Sequence, residues 1–532
     1  MLIPLRQFGD VGMVQDAPAH ELPPNAITGG KNVLFRDGAA RKMNGNKIIA
    51  YDISSENSQW FETWQYQVGT YKQVIGLANG TMLVWDGSAI SVPSIQDQGG
   101  TAAVLSATAA WQSTVFGRFA VMNNRVEMPL YSWNSGTSSP DGSVFRMIPA
   151  WGAANSPGGA VKSIRAHRNF LVAVGVANAP YNVYWSDAAA TDSFPASWDY
   201  ADTTKLAGYV QVAASDGPLI DCREMGDAMI VYTQNAAYAL QYVGGSDVFG
   251  IRRLFSHGLI NRECAVSFQN QHFCVGDNRL YVHDGLNISR PAERKIERAF
   301  FHEVSDWSKC LAASIEGQNE IWVYYTTAGG SSPNRALIWN WHNNTWAFID
   351  LPGYTCIAPS VVVSSPITIG SLSGQIGNLE GTIGEFGRTG ANQVILATPG
   401  EGNATVTFGL YQLSTGIRIG SDHYDAYIER TGVDLDEFRK EATTSMRVRA
   451  VVPQITGSGS VDIQIGTQRN ANDSVLWDTV KTFSLDDGSR YKVDVRKTGR
   501  YLAWRIGSWS GSPTNSTWAF SGMDIDVQEA GR

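Results

Sequence analysis

Apolar and polar residues alternate along most of the chain in short stretches, broken by Gly, Asn, Asp and Ser. Alternation with a period of two marks strands with one buried and one wet face. Frequent turn residues keep those strands short, so the pattern predicts an all-β protein. Helical periodicity is rare. It is clearest from Pro291 to Val304, where Pro291 suits a first helical position and Ile296, Phe300 and Val304 recur at i, i+4 and i+8. A weaker helical stretch runs from Asp434 to Glu441.

A strand-turn-strand unit recurs through residues 70–350. Gln73 to Ala78 is an apolar run, Asn79-Gly80 tolerates the positive φ of a tight hairpin, and Thr81 to Trp85 returns before Asp86-Gly87. With Trp85, Trp133, Trp185, Tyr238, His283 and Trp339 as markers, the spacings are 48, 52, 53, 45 and 56 residues. About fifty residues is the length of one four-stranded propeller blade with its loops. The pattern therefore predicts a β-propeller of six to eight blades over residues 50–404. Residues 1–49 precede it, and their hairpin Lys31 to Met43, turning at Asp37-Gly38, would close the ring or serve an interface. The Gly-rich stretch 361–390 reads as a connector or an irregular blade, which leaves the blade number open. Beyond it, Val461, Ile463 and Ile465 alternate with Asp462 and Gln464, and Met523, Ile525 and Val527 with Asp524, Asp526 and Gln528. Such strands predict a C-terminal β-sandwich domain over 405–532.

Composition sharpens this picture. A chain of 532 residues exceeds the roughly 250–300 residues of a single core, so at least two folding units are expected. Apolar residues at 43%, with 17 Trp, 20 Tyr and 20 Phe, exclude a disordered chain. Charged residues make up only 17%, below the roughly 25% of an ordinary soluble domain. Two readings remain open: a surface covered by partners, or a β surface rich in Gly, Ser, Thr and Asn. The net charge of −8 argues against a tight duplex-DNA binder. Basic clusters at Arg290, Arg294, Lys295 and Arg298, and at Lys492, Arg496, Lys497 and Arg500, read as solvated faces or subunit contacts. Five Cys without a CxxC pair imply neither a disulfide framework nor a zinc site, and read as small buried hydrophobes in a chain folded in a reducing cytosol. The first ten residues lack an apolar h-region and no run of about 18 apolar residues exists, so neither a signal peptide nor a membrane span is expected.

Motifs for chemistry are missing. GxSxG, HExxH, a P-loop and a dinucleotide fingerprint are all absent. His272 and His283 fall in neighbouring strands of one hairpin and read as a structural pair, because no third ligand accompanies them. Asp187 and Asp192 lie around the polar loop Ser186 to Ala196, ahead of Trp198. The loop is loosely similar to the Asp-containing turns of sialidase-type propellers but lacks their Gly and Thr-Trp positions, so the acids read as turn residues. No catalytic, cofactor-binding or metal-ligating residue is assigned, no cofactor is expected, and the chain reads as non-enzymatic.

Three stretches carry a family resemblance. Gly9-Asp10 is followed by Glu21 to Ala26 and by Asn32 to Gly38. Arg168 to Gly175 is followed by Val183 to Asp187 and by Trp198. Val275 to Tyr281 is followed by the 290–301 segment and by Glu320 to Tyr325. In order and spacing, over about residues 5–390, these resemble the tail hub, or nozzle, proteins of podoviruses, including packaged-DNA stabilisation proteins and more distantly tail tubular protein B. The resemblance implies a structural propeller subunit of a homo-oligomeric ring, a hexamer, below the portal and head-to-tail adaptor of the virion tail. Such a ring extends the DNA conduit, retains the packaged genome, and carries tail fibres or tailspikes and a distal plug or needle. It would assemble in the host cytoplasm, with no membrane in the mature particle. Double-stranded DNA would pass without tight binding, through a lumen neutral or acidic along most of its length. The competing reading is a glycan-binding or glycan-degrading propeller acting in host attachment, which would need a cleft with paired carboxylates and an aromatic floor.

Overall fold

The computed structural model describes residues 2–51, 58–108, 111–134, 140–364, 390–399, 409–419, 422–434, 445–471, 473–488, 491–509 and 516–530. Among them are nine β-sheets and two short α-helices, Phe8–Val11 and Glu297–Glu303. No helix among these residues is long and apolar enough to cross a membrane.

Seven of the sheets are small and follow one another along the chain. Their innermost strands are Ser58–Gln67, Gln112–Phe116, Val161–His167, Leu219–Met225, Ala265–Phe268, Asp306–Ile315 and Tyr354–Ser364. Each of these strands touches the next, and the last touches the first, so the sheets close a propeller-like ring. Within each sheet the chain runs outward through antiparallel neighbours. The second sheet adds Ser94–Gln96, parallel to Val144–Met147. All six sequence markers fall on the third strand of successive sheets: Trp85, Trp133, Trp185, Tyr238, His283 and Trp339.

The seventh sheet closes the ring. Tyr354–Ser364, Gly390–Pro399 and Gly409–Leu413 come from one end of the ring segment, and Asn46–Tyr51 adds the outermost strand from the other. Such pairing ties the two ends of a ring together and removes an open edge. The expected boundaries shift accordingly: residue 49 lies within the closing strand, and Gly409–Leu413 belongs to the ring although it follows 404. Most of the Gly-rich stretch, 365–389, lies outside the described residues, between the first and second strands of this sheet.

The hairpin expected to close the ring does not do so. Its strands, Val33–Arg36 and Ala39–Lys42, join a six-stranded sheet with Leu2–Arg6, Met446–Ser458, Val493–Gly499 and Thr517–Glu529. Val33, Leu34 and Phe35 are all buried in a row, so this hairpin is covered on both faces, unlike a ring-edge strand. A second six-stranded sheet holds Gly29–Lys31, Ala426–Asp434, Ser460–Gln468, Leu476–Trp477, Lys481–Ser484 and Tyr501–Ser508. Between the two sheets Phe8 meets Trp504 edge-on at 5.0 Å and stacks on Phe520 at 4.8 Å. Residues Val461, Ile463, Ile465, Met523, Ile525 and Val527 are buried, as their alternation predicts.

Asn32 stitches this unit to the ring. It is 1% exposed with φ 57°, and its N–H donates to the Phe348 carbonyl at 3.2 Å. Its Oδ1 accepts from the Asp350 N–H at 2.7 Å, while its Nδ2 donates to the Asp425 carbonyl at 2.7 Å. Beside it, Arg36 grips Glu320 with two hydrogen bonds of 2.6 and 2.8 Å. The helix expected over 291–304 is regular only at Glu297–Glu303, where Asp16 caps the N–H groups of Arg298 and Ala299. The other expected helix, Asp434 to Glu441, lies outside the described residues except for Asp434, which ends a strand.

Candidate functional site at the ring axis

Inner strands of a ring present alternate residues to its axis, because side chains along a strand point to opposite sides in turn. In the third sheet that alternation places Ser163 and Arg165 together, and in the fourth Asp221 and Arg223. Glu62 from the first sheet, Ser113 from the second and Glu263, just ahead of the fifth, complete the group.

These side chains form one network. Arg165 donates from Nη1 to the Ser113 carbonyl at 2.9 Å and from Nη2 to Glu263 and, at 3.4 Å, to Asp221. Arg223 donates from Nη2 to the other oxygen of Glu263. Asp221 also accepts from the Ser163 hydroxyl at 2.6 Å, the Cys222 N–H at 2.8 Å and the Glu263 N–H at 3.0 Å. Burial alone would push the Asp221 carboxyl up, but Arg165 and Arg223 outweigh it and hold it below the usual range. Burial likewise opposes the charge on Arg165, and Glu263 and Asp221 more than offset it. Glu62 differs: burial dominates and raises it, although Ser113 donates to it and Arg165 lies near. Ser113 in turn accepts from Trp60 Nε1 at 2.6 Å. Neighbouring Cys222 is pushed up to about 12 by burial, so it stays a thiol. The axis thus holds a paired ionic cluster beside a carboxyl that tends to keep its proton.

Two cavities meet at this cluster. One, of about 580 Å³, is lined by Glu62, Arg165, Arg223, Glu224 and His272. The other, of about 800 Å³, is lined by Trp60, Glu62, Arg223, Glu263 and Tyr324. Both also touch Ser113 and Ser267.

His272 and His283 are brought together as directly opposed strand partners, and both reach the Tyr232 hydroxyl, at 2.7 and 2.6 Å. Nε2 of His272 donates to the Glu224 carbonyl at 3.0 Å, so its Nδ1 accepts the Tyr232 proton. The Tyr232 oxygen then accepts from Nε2 of His283, whose Nδ1 accepts the Gly285 N–H at 3.2 Å. Burial lowers His272 to about 4, and burial together with His272 lowers His283 to about 3, which keeps both neutral near pH 7. Among the described residues no cluster of three or more His, Cys, Asp or Glu could hold a metal.

The remaining sequence candidates lie apart from the axis. Asp187 Oδ1 accepts the N–H groups of Ala188 and Leu206 within its loop, and Asp192 sits in a turn with φ 58°. In the first basic cluster Arg290 pairs with Glu293 and Glu297. In the second, Lys492 pairs with Asp494 and Arg500 with Asp434. All five Cys are buried and free.

Sequence reasoning did not single out the axial cluster. A signal was present: Ser163 and Arg165, and likewise Asp221 and Arg223, stand two positions apart on their strands, the spacing that puts side chains on one side of a strand. What one strand could not show is that neighbouring sheets bring those positions to one axis.

No family model matches the chain, and no curated protein matches it. Among solved structures it is similar to YCF48 from Cyanidioschyzon merolae, with a TM-score of 0.36 and 10% identity over 69% of this chain and 98% of that one. It is also similar to the extracellular domain of the hybrid two component system BT4673 from B. thetaiotaomicron, with a TM-score of 0.31 and 10% identity over 53% of this chain. The chain spans 38% of the length of that domain.

Proposed function

We propose that this chain is a non-enzymatic structural subunit of a short-tailed phage tail, a hub or nozzle protein built as a seven-bladed propeller joined to a β-sandwich. The observation that carries this reading is the serial order of the three resembling stretches. Each of them falls on an element that holds the architecture. Asn32 to Gly38 joins the two units, Arg168 to Gly175 fills a second strand, and Glu320 to Tyr325 does the same three sheets later. A body stiffened in this way, with broad loop faces on a ring, suits a closed homo-oligomer whose interfaces are heterologous. Six copies would form the ring, contact portal and adaptor on one side, and carry fibres and a distal plug on the other. The DNA lumen would be neutral or acidic, because each phosphate gripped by Lys or Arg adds salt-sensitive affinity that hinders sliding.

Native mass measurement and electron microscopy of the purified chain, alone and with portal–adaptor complexes, test this. A sixfold ring or docking onto the complex is expected. A chain that stays monomeric and ignores the complex overturns the proposal. Duplex binding at about 0.15 M salt should be weak; tight binding that falls steeply with salt would make the protein a DNA clamp instead.

One observation favours the second reading, a glycan-active propeller. Glu62, raised by burial, shares a cavity with Glu263 and with Trp60 and Tyr324. Two carboxyls, one of them raised by burial, over aromatic walls are the layout glycoside hydrolysis uses. Against it, both Glu263 oxygens are already gripped by arginines. Release of reducing sugar from host polysaccharide, lost in a folded Glu62→Gln variant, would establish the second reading and displace the first.

A further inference from the structure

Along Ala426–Asp434, Ser460–Gln468 and Tyr501–Ser508, successive side chains point to opposite faces of the second six-stranded sheet. Ile428, Ile463, Ile465, Trp504 and Ile506 point to the core and are buried. The alternate positions Tyr427, Glu429, Gln464 and Arg505 take the other face and are only half-buried. Register sets three of them in one row, with Glu429 opposite Arg505 and Arg505 opposite Gln464.

Aromatic rings gather around this row. The Arg505 guanidinium lies over Trp477 at 4.8 Å, Trp509 at 5.2 Å and Tyr427 at 5.4 Å. Trp509 and Tyr427 meet edge-on at 6.4 Å. Trp477 lies close on the sheet because its strand partner is Gly466, where a Cβ would come within 2.9 Å of the indole. Arg505 Nε donates to Glu429 at 2.6 Å, and Nη2 pairs with the same oxygen. Gln464 Nε2 donates to the Asp478 carbonyl at 2.7 Å, which ties the row to the segment carrying Trp477.

Three large rings left half-buried on a wet sheet face gain only part of the stabilisation that full burial would give. Trp, Tyr and Arg are the side chains enriched where surfaces bind. The chemistry of the face narrows the ligand. Its central charges are already paired, so it holds no surplus to draw an ion. The Arg505 and Glu429 side chains nevertheless remain 23% and 22% exposed. The face therefore offers flat rings bordered by groups that donate and groups that accept. A sugar ring is the complement: its faces carry C–H groups and its rim carries hydroxyls that both donate and accept. A protein partner would instead anchor side chains in well-packed pockets, which a flat sheet does not offer.

We propose that the outward face of this sheet is a binding site for a neutral glycan. Trp477, Trp509 and Tyr427 stack on the sugar faces, while Glu429, Gln464 and Arg505 bond the hydroxyls between them. This goes beyond the tail-hub reading. The site is separate from the axial cavities and holds whether or not subunits assemble.

Calorimetric titration of the full chain tests it, with maltohexaose, cellohexaose, chitohexaose and dextran as probes. At least one should bind saturably and shift the tryptophan emission. Trp477→Ala should weaken that probe by at least about tenfold, and Gln464→Ala by about fivefold. Gln464→Ala should leave the unfolding midpoint near that of the wild type, which separates a binding side chain from a structural one. It also decides the matter should Trp477→Ala fail to fold. Leu286→Ser, at an 80% exposed position on the ring, should leave the affinity unchanged. No saturable binding of any probe, or unchanged affinity in the folded variants, overturns the site. Self-association of the wild-type chain that is lost in Trp477→Ala, with no glycan bound, assigns the face to a second copy and also overturns it.

Discussion

Between the two six-stranded sheets, Phe8, Trp504 and Phe520 pack ring against ring. At the axis of the seven small sheets, equally inward positions carry Glu62, Arg165, Asp221 and Glu263. Both interiors belong to antiparallel sheets of similar sequence character, and geometry separates them. Two facing sheets interdigitate side chains across about 10 Å. Seven inner strands set around an axis leave cavities of about 580 and 800 Å³, where a polar side chain can be solvated or paired. Arginine marks the contrast. Arg430, 1% exposed in the two-sheet unit, gives its N–H groups to the backbone carbonyls of Ala19 and Leu22, at 2.8 and 2.9 Å. Arg165 gives its own to two carboxylates and one carbonyl. The first arginine ties down a chain segment, whereas the second belongs to an ionic node.

The sharpest way to break this comparison is to remove the node's shared acid. Glu263→Leu strands Arg165 and Arg223 and should cost about 3–5 kcal/mol in denaturant unfolding. Phe520→Ala should cost a similar amount, about 3–5 kcal/mol, by leaving a cavity. The two losses differ in how they are repaired. Adding Arg165→Met and Arg223→Met to Glu263→Leu should recover part of the loss, because apolar residues can replace buried ions, while Asp221 then keeps only its hydrogen bonds from Ser163, Cys222 and residue 263. If the triple variant is no more stable than Glu263→Leu, the node is not an electrostatic unit.

Next in size is the joint between the regions. Asn32→Ala removes the hydrogen bonds to the Asp350 N–H and the Asp425 carbonyl and puts alanine at φ 57°. A cost of about 3 kcal/mol is expected, from two lost hydrogen bonds and the backbone strain. Calorimetry should then show the ring and the two-sheet unit melting separately. A single sharp transition shifted down by less than about 1 kcal/mol would mean that Asn32 does not couple them.

The ring was legible because its repeat is local. Trp85, Trp133, Trp185, Tyr238, His283 and Trp339 recur about every fifty residues, and each occupies the same strand of its sheet. The seventh sheet broke that rhythm. Its second and third strands, Gly390–Pro399 and Gly409–Leu413, come after a long Gly-rich insertion, and its fourth comes from Asn46–Tyr51. Closure of this kind joins residues more than 350 positions apart, which no local pattern reveals. The Lys31 to Met43 hairpin was legible as a hairpin but not as part of the larger sheets, because its partner strand Thr517–Glu529 is just as distant. The axial node was hidden for the same reason: Glu62, Arg165 and Asp221 come from three sheets and Glu263 from the lead into a fourth. The His272–His283 pair lay within one hairpin and was visible.

That histidine pair offers a gentler probe of the ring alone. Burial lowers His272 to about 4, and burial with His272 lowers His283 to about 3, against about 6.5 in an unfolded chain. Below pH 6.5 the unfolded chain therefore binds protons that the folded ring refuses. Stability is fully present above that pH and falls as pH drops toward 4, by about 1.4 kcal/mol per pH unit for each imidazole. Replacing both with Gln should flatten the ring's acid limb between about pH 6 and 4 and leave the two-sheet unit unaffected. An unchanged slope in the ring transition would show that the histidines already carry protons in the fold.

Glu62 and Glu263 share a cavity wall, and the smallest expected effect separates their roles. Burial raises Glu62, so across the window from its unfolded value of about 4.3 up to its folded value the native chain binds the extra proton. The linkage sign is then opposite to that of the histidines. Stability owed to this group is present below about pH 4.3 and is lost as pH rises through the raised value. Glu62→Gln keeps the acceptor for the Ser113 hydroxyl and removes the titration. At acid pH the variant should match the wild type. At neutral pH it should be equal or more stable, by about 1 kcal/mol at most once its neighbour Arg165 is taken into account. Glu263→Gln should instead be destabilising at neutral pH, because two guanidinium groups lose a charged partner. Unfolding curves of the two variants at pH 4 and pH 7 decide the matter. If Glu62→Gln costs more than about 2 kcal/mol at neutral pH, Glu62 is a working counterion of the arginines. The contrast between the ring and the two-sheet unit then narrows to two ways of pairing the same side chain.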